Sequence, residues 1–232
     1  MNPQMMAAVP TQNTRMPVSQ IPGIGKKDAL HLWSTYRFFT GSPVGQYNVF
    51  TVTQNSSGQG YASPAVLTAR ETSIITQGQV PLDQRWECLD IGVEILPGAG
   101  GLGVPVDQAV EAYNKIQLAF IRGQTQLIQL GPIALFPGGS GLSGVVALEA
   151  DDQAAPFLVN NQSVGNGFPS VGARRQLRGR TIVLNPGDTW YMAFLVANAD
   201  GAALNFGTTG DTPNSLDIRV SMWMLRDLGV TG

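Results

Sequence analysis

Short runs of period two, each closed by glycine or proline, constrain this chain more than any other feature of it. Residues 30–39 alternate Leu30, Leu32, Ser34, Tyr36 and Phe38 with His31, Trp33, Thr35, Arg37 and Phe39, and Gly41-Ser42-Pro43 ends the run. Successive strand side chains point to opposite faces, so period two marks a strand, and apolar residues in both registers mark one covered on both sides. Residues 47–53 form a second run rich in β-branched and aromatic side chains, stopped by Asn55-Ser56-Ser57-Gly58-Gln59-Gly60. Residues 85–96 place Trp86, Cys88, Asp90, Gly92 and Glu94 on one side and Leu89, Ile91, Val93 and Ile95 on the other. Residues 216–225 set Leu216, Ile218, Val220, Met222 and Met224 on one face. Further extended segments are expected at 67–75, 115–121, 126–130, 133–136, 145–148, 181–184 and 190–196. The last two flank the tight turn Asn185-Pro186-Gly187-Asp188.

Only residues 106–113 read as a helix, following Pro105 with Asp107 in the first turn, where a carboxylate favours the positive helix end. Eight to ten short strands with Gly/Pro turns and one small helix predict an all-β antiparallel sandwich or barrel. The 28 glycines and 15 prolines supply the turns and long loops. Residues 1–27 hold Pro3, Pro10, Pro17 and Pro22 and no strand or helix period, so they read as an extended N-terminal arm before a single β domain at 28–232. The arm's charges are all positive: Arg15, Lys26 and Lys27. Residues 1–20 contain no apolar stretch of the secretory-signal kind, and no run approaches the roughly 20 apolar residues of a membrane-spanning helix.

Charge narrows the function. Charged residues make up 13% of the 232-residue chain, about half the usual ~25%. Its net charge is −2, which argues against a nucleic-acid binder working through a basic field. Eleven arginines stand against three lysines, and interfaces retain Arg while shedding Lys because guanidinium is weakly hydrated and makes planar contacts. A surface this poor in charge predicts burial against neighbours.

Catalysis is not expected. With one histidine and one cysteine, the chain lacks a zinc ligand set, and a triad would have to use His31, which sits in an aromatic strand and reads as a packing residue. Gly98-Ala99-Gly100-Gly101-Leu102-Gly103 matches the dinucleotide fingerprint literally, but the following strand ends in Arg122-Gly123 without an acidic residue, and strands do not alternate with helices. An inter-strand loop is the better reading, and no cofactor or small-molecule substrate is expected. Asp151 and Asp152 form an acidic turn whose ordinary state is solvation, with a hard cation as the alternative. Arg174, Arg175, Arg178 and Arg180 form the one basic cluster, next to the strand at 181–184, and read as a subunit contact; packaged nucleic acid or an acidic membrane surface are the other partners such a cluster suits.

The segment Arg180-Thr181-Ile182-Val183-Leu184-Asn185-Pro186-Gly187-Asp188-Thr189-Trp190, the stretch Leu130-Gly131-Pro132-Ile133-Ala134-Leu135-Phe136-Pro137-Gly138-Gly139 and the closing strand resemble the jelly-roll coat proteins of icosahedral bacteriophages, the tail-less ones above all. The resemblance is one of style, spans residues 30–228 and rests on no diagnostic motif. It implies a jelly-roll sandwich, single rather than double at this length, that assembles through trimers or pentamers into a shell, contacts other virion proteins, and is made in the host cytoplasm. A vertex, spike or glycan-binding β-sandwich protein of a virion is the alternative.

Overall fold

The computed structural model describes residues 26–61, 64–75, 78–97, 106–123, 125–136, 175–176, 182–209 and 212–228. In chain order the elements are β1 (Lys26–Phe39), β2 (Gly45–Val49), β3 (Gln84–Pro97), α1 (Val106–Lys115), β4 (Ile116–Arg122), β5 (Gln126–Pro132), a 3-10 turn (Ile133–Leu135), β6 (Arg175–Gln176), β7 (Val183–Leu184), β8 (Trp190–Val196), β9 (Thr208–Thr209), β10 (Thr212–Pro213) and β11 (Ser215–Leu228). All pairings are antiparallel. Sheet A has the order β1-β11-β3-β6, with β7 also on β3; sheet B has the order β2-β8-β4-β5. The described residues are thus mostly strand, in two main antiparallel sheets with one short helix, consistent with the all-β sandwich that the alternating runs predict.

The pairs are nested. β4 pairs with β5, β3 with β6 and β7, β2 with β8, and β1 with β11. Such a set is one long antiparallel ribbon whose innermost hairpin is β4–β5. Two further pairings, β11 with β3 and β8 with β4, roll the ribbon into two facing sheets.

Between the sheets lies a core rich in aromatics. Leu216, Ile218, Val220, Met222 and Met224 of β11 are all fully buried, so the alternation read from the sequence holds throughout that strand. Opposite them Trp190 stacks on Phe120, with ring centres 6.0 Å apart and planes 12° apart, while Phe38 meets Phe194 edge-on at 5.8 Å. Burying each such side chain is worth about 1.5–3 kcal/mol, which makes this double layer the main source of stability.

Some elements differ from expectation. β1 starts at Lys26, so Lys26 and Lys27, read above as part of the arm, pair with Leu228 and Asp227 inside sheet A. β3 slips phase: Trp223 lies opposite Asp90 and Met224 opposite Cys88, leaving Leu89 as the extra residue of a bulge. Trp86 and Cys88 therefore face the core together with Ile91, Val93 and Ile95, and Leu89 is 45% exposed. Residues 67–75 are no strand. Thr72 bridges Ser34 in isolation, and the Ser73 hydroxyl accepts a hydrogen bond from Trp33 N at 2.8 Å. The Ile133–Phe136 run forms the 3-10 turn and its cap, packed by Ile133 and Phe136. The helix runs two residues longer than its pattern predicts, and Lys115 pairs with Glu111 at 2.8 Å.

The turn at 185–188 forms as read. Gly187 takes φ +80, the conformation a Pro-Gly turn of the second type needs, and Asn185 N donates to Asp188 Oδ2 at 2.7 Å. Arg122, at the end of β4, pairs with the same carboxylate at 2.6 Å and ties the turn to sheet B.

Candidate assembly surfaces

The outer face of sheet A is polar and charge-paired. Outward residues of β1, β11 and β3 lie in rows: Arg37 beside Asp217, Thr35 beside Arg219 beside Glu94, His31 beside Trp223 beside Asp90. Arg37 donates to both oxygens of Asp217, Nε–Oδ1 at 2.7 Å and Nη2–Oδ2 at 2.8 Å. Tyr61, from the long β2–β3 connection, donates its hydroxyl to Asp217 Oδ2 at 3.0 Å and lays its ring 4.3 Å from the Arg37 guanidinium carbon. Burial, and next the adjacent carboxylate, push the Tyr61 hydroxyl well above its ordinary pKa. Its hydrogen bond to Asp217 raises the guanidinium of Arg37 likewise.

Arg219 reaches the backbone carbonyl of Arg70 at 2.8 Å and Glu94 at 3.5 Å. The connection thereby lies across one end of this face. It also covers the free edge of β1, where Ser73 N donates to Trp33 O and Arg37 N donates to Gln59 O, each at 2.9 Å. Gly60 permits this approach. It has φ +83, and a side-chain carbon there would fall 1.9 Å from the Arg37 carbonyl oxygen.

At the other end of the face His31 stacks on Trp223, 4.4 Å between ring centres and 11° between planes, with Trp33 at 5.3 Å. That is the packing role its sequence context suggested. Trp223 and Leu89 remain partly exposed beside it.

Sheet B presents a different outer face. Core positions on β4 and β8 are Ile116, Leu118, Phe120, Trp190, Met192, Phe194 and Val196, so the alternate residues point outward. The register aligns them as three rows: Gln46–Leu195–Gln117, Asn48–Ala193–Ala119–Gln129 and Tyr191–Ile121–Leu127. Ala119, Ile121 and Ala193 form a small second apolar cluster with Tyr191 and Leu195. These rows contain no charged side chain, and their centre is not open surface: Ala119 and Ala193 are fully buried and Ile121 is 3% exposed.

The edges differ as well. β3 carries β6 and β7 on its outer side, and the β1 edge is covered as described. Among the described residues β5 pairs only with β4 and β2 only with β8, and Gln126, Leu127, Ile128 and Gln129 are all exposed. Past them a bulge at Leu130, Gly131 with φ +117 and Pro132 end the regular edge.

Of the basic residues singled out from the sequence, Arg175 lies in β6 opposite Ile91; Arg174, Arg178 and Arg180 lie outside the described residues. Arg15 does too, as do Gly98–Gly103 and the acidic turn at Asp151 and Asp152. Lys26 and Lys27 sit on β1 at one edge of sheet A and Arg175 on β6 at the opposite edge, so these three described members are not brought together. Lys27 is exposed opposite Asp227, and its neighbour Asp28 pairs with Arg226 at 2.5 Å, so that end of the ribbon is charge-balanced.

At one end of the sandwich, a cleft of about 440 Å³ is lined by Phe50, Thr51, Gly78, Gln79, Gly123, Thr189, Trp190 and Tyr191. Trp190 is 2% exposed, and its indole N–H has no hydrogen-bond partner among the described residues. Cys88 is buried, and burial raises its thiol pKa far above the ordinary value, which leaves it unreactive. Among the described residues no three His, Cys, Asp or Glu side chains gather to hold a metal, and no helix is long and apolar enough to cross a membrane. No protein-family model matches the chain, and no curated protein matches it.

Neither the charge-free face of sheet B nor the open β5 edge was singled out from the sequence. Alternating small and large residues at Gln117, Ala119, Ile121 and at Tyr191, Ala193, Leu195 were the available signal. It is hard to read because both registers of these strands are apolar.

Proposed function

We propose that this chain is a structural subunit of a virion shell, the major coat protein of an icosahedral bacteriophage, folded as a jelly roll and assembling with copies of itself. The nested pairing of strands carries the reading. A jelly roll is an eight-stranded double-sheet fold made of two Greek keys, and an antiparallel ribbon rolled about its midpoint gives that connectivity. With β6 and β7 counted as one interrupted strand and the β9–β10 hairpin set aside, the sheets β1-β11-β3-β6 and β2-β8-β4-β5 have the matching count and order.

Surface chemistry supports assembly in particular. A soluble monomer keeps apart from its copies by carrying about 25–35% charged residues on its surface, and this chain carries 13% overall. The outer rows of sheet B hold no charge, and among the described residues neither of its edge strands, β2 and β5, pairs with a further strand. The reading places the protein in the virion after synthesis in the host cytoplasm, in trimers or pentamers, with other virion proteins and the packaged genome or an inner membrane as further contacts of the basic cluster at Arg174, Arg175, Arg178 and Arg180. It needs no cofactor and no substrate. Size-exclusion chromatography with light scattering and electron microscopy tests it: large symmetric oligomers or closed particles support it, and a monomer at every concentration refutes it.

The cleft favours a second reading, a glycan-binding vertex or spike protein. Its amide and hydroxyl groups, from Gln79, Thr51, Thr189 and Tyr191, suit the hydroxyls of a sugar, while Phe50 and Trp190 beneath them are buried and form its floor. Glycan-array binding by a small stable oligomer that forms no shell favours that reading over the first.

A further inference from the structure

We propose that the free edge of β5 is where two copies of this chain join, strand to antiparallel strand, extending sheet B from one subunit into the next. The inference rests on the coat-protein reading and adds to it the surface and the symmetry of one contact.

Natural sheets protect their edges with charge, proline, a strong twist or a covering segment, because a row of free N–H and C=O groups is a template for another strand. Among the described residues β2, the other edge of sheet B, also pairs with one strand only, but it is five residues long and closes on the buried Val49. Sheet A follows that rule at both edges, through the Ser73 and Gln59 bonds to β1 and through the two-residue strands β6 and β7 on β3. β5 does not. From Gln126 to Gln129 it offers four consecutive exposed residues without charge or proline, with Leu127 47% and Ile128 38% exposed. Its row neighbours Ala119, Ala193 and Ile121 carry no charge and are themselves buried, so the exposed uncharged surface is the edge strand itself. An exposed apolar edge with no protection is a liability in a monomer and a joint in an assembly.

Chemistry selects the partner. Nucleic acid or an acidic lipid surface would need cations, and residues 125–132 contain none. An uncharged edge meets its own copy without like-charge repulsion, and glutamine amides both donate and accept, so the edge is complementary to itself. Geometry then limits the register. A two-fold axis perpendicular to the sheet keeps core-side and outer-side residues on their own faces, so each residue lies opposite one of the same parity. The registers that overlap this four-residue edge most fully are the two that set Leu127 or Ile128 opposite its own counterpart, at the ~4.5–5.5 Å between Cβ atoms of directly opposed residues, and the joint takes one of them. The bulge at Leu130 limits the joint to about four residues per copy, so the contact is weak alone and firm only where several contacts close together.

The test uses the full chain. Cys88 is buried and unreactive, so Leu127→Cys or Ile128→Cys introduces the one accessible thiol among the described residues. One of the two is expected to form a disulfide-linked dimer under mild oxidation. The paired change Leu127→Lys with Gln129→Lys puts charges on the edge; it is expected to weaken self-association in sedimentation velocity at least tenfold while circular dichroism stays unchanged. Leu89→Lys, equally exposed on sheet A, is expected to associate as the parent does. Absence of cross-linking at both positions, or a lysine pair that associates like the parent, overturns this inference and leaves the coat reading intact. A parent that never self-associates ends both.

Discussion

Arg37 and Asp217 are 180 residues apart in sequence and adjacent across β1 and β11, where they share two parallel hydrogen bonds of 2.7 and 2.8 Å. The pair joins the first long strand to the last, and Tyr61 adds the β2–β3 connection to it. Two-pronged guanidinium–carboxylate pairs are the strongest kind, and at side-chain exposures of 20% and 10% this one is partly shielded from water. Asp217→Ala leaves a half-buried guanidinium without its counter-ion and is expected to cost about 2 kcal/mol, a fall in melting temperature of about 4–8 °C for a chain of this size. A double-mutant cycle with Arg37→Ala checks the coupling, and additive effects would contradict it.

Tyr61 belongs to a wider pattern. Burial raises the hydroxyls of Tyr36, Tyr47 and Tyr113 as well. A group whose folded pKa lies above its unfolded value stabilises the fold fully below the unfolded pKa, here near pH 10, and that contribution is lost as pH rises further. Stability is expected to hold up to about that pH and to fall steeply above it. Tyrosinate absorbance should rise together with the loss of circular dichroism. Free ionisation of these four tyrosines in a still-folded protein would contradict the packing described here.

Glu71 has the opposite sign. Burial disfavours its charge, but hydrogen bonds from Thr68 Oγ1 and N and the nearby Arg70 outweigh that, and its pKa falls below the usual carboxylate value. Its contribution is present above the unfolded pKa, near 4.5, and disappears as pH falls through the lowered one. Hydrogen exchange at residues 68–72 is expected to accelerate in that acidic window, and Glu71→Gln should remove the pH dependence.

Gly60 and Gly41 make a controlled comparison. Both have positive φ, +83 and +91, but a side-chain carbon at Gly60 would strike the Arg37 carbonyl oxygen while one at Gly41 meets nothing within 4 Å. Gly41→Ala is expected to cost about 1 kcal/mol from backbone strain alone. Gly60→Ala should cost more than about 2 kcal/mol, because the connection must lift off β1. Equal losses in urea denaturation would show that the close approach of Gly60 does not matter.

The architecture was legible where one register is apolar and the strand regular. β11 reads directly from Leu216 to Met224, and the Asn185–Asp188 turn from its own residues. The phase slip in β3 was not, because a bulge depends on the partner strand: nothing local marks Leu89 as the residue that drops out of the ladder. Residues 67–75 looked extended because Thr and Ile recur at strand spacing, but Thr72 and Ser73 use their side chains and backbone to cover the edge of β1. The candidate assembly surfaces were the least legible part. Low charge is a property of the whole chain, and only the fold concentrates its absence on one sheet face and one edge.

The arm and the basic cluster give the coat reading two further tests. Removing residues 1–25 leaves β1 whole and is expected to reduce particle formation without loss of fold; unchanged assembly would show the arm to be a simple tail. Changing Arg174, Arg175, Arg178 and Arg180 together to Ser should lower particle yield and salt stability, and particles equal to the parent's would remove the cluster from the interface.

The most direct measurement is the mass and shape of the purified full chain across a wide concentration range, by light scattering and electron microscopy. Concentration-dependent growth into large symmetric oligomers or closed shells is the predicted result. A 24.6 kDa species at every concentration would contradict the account.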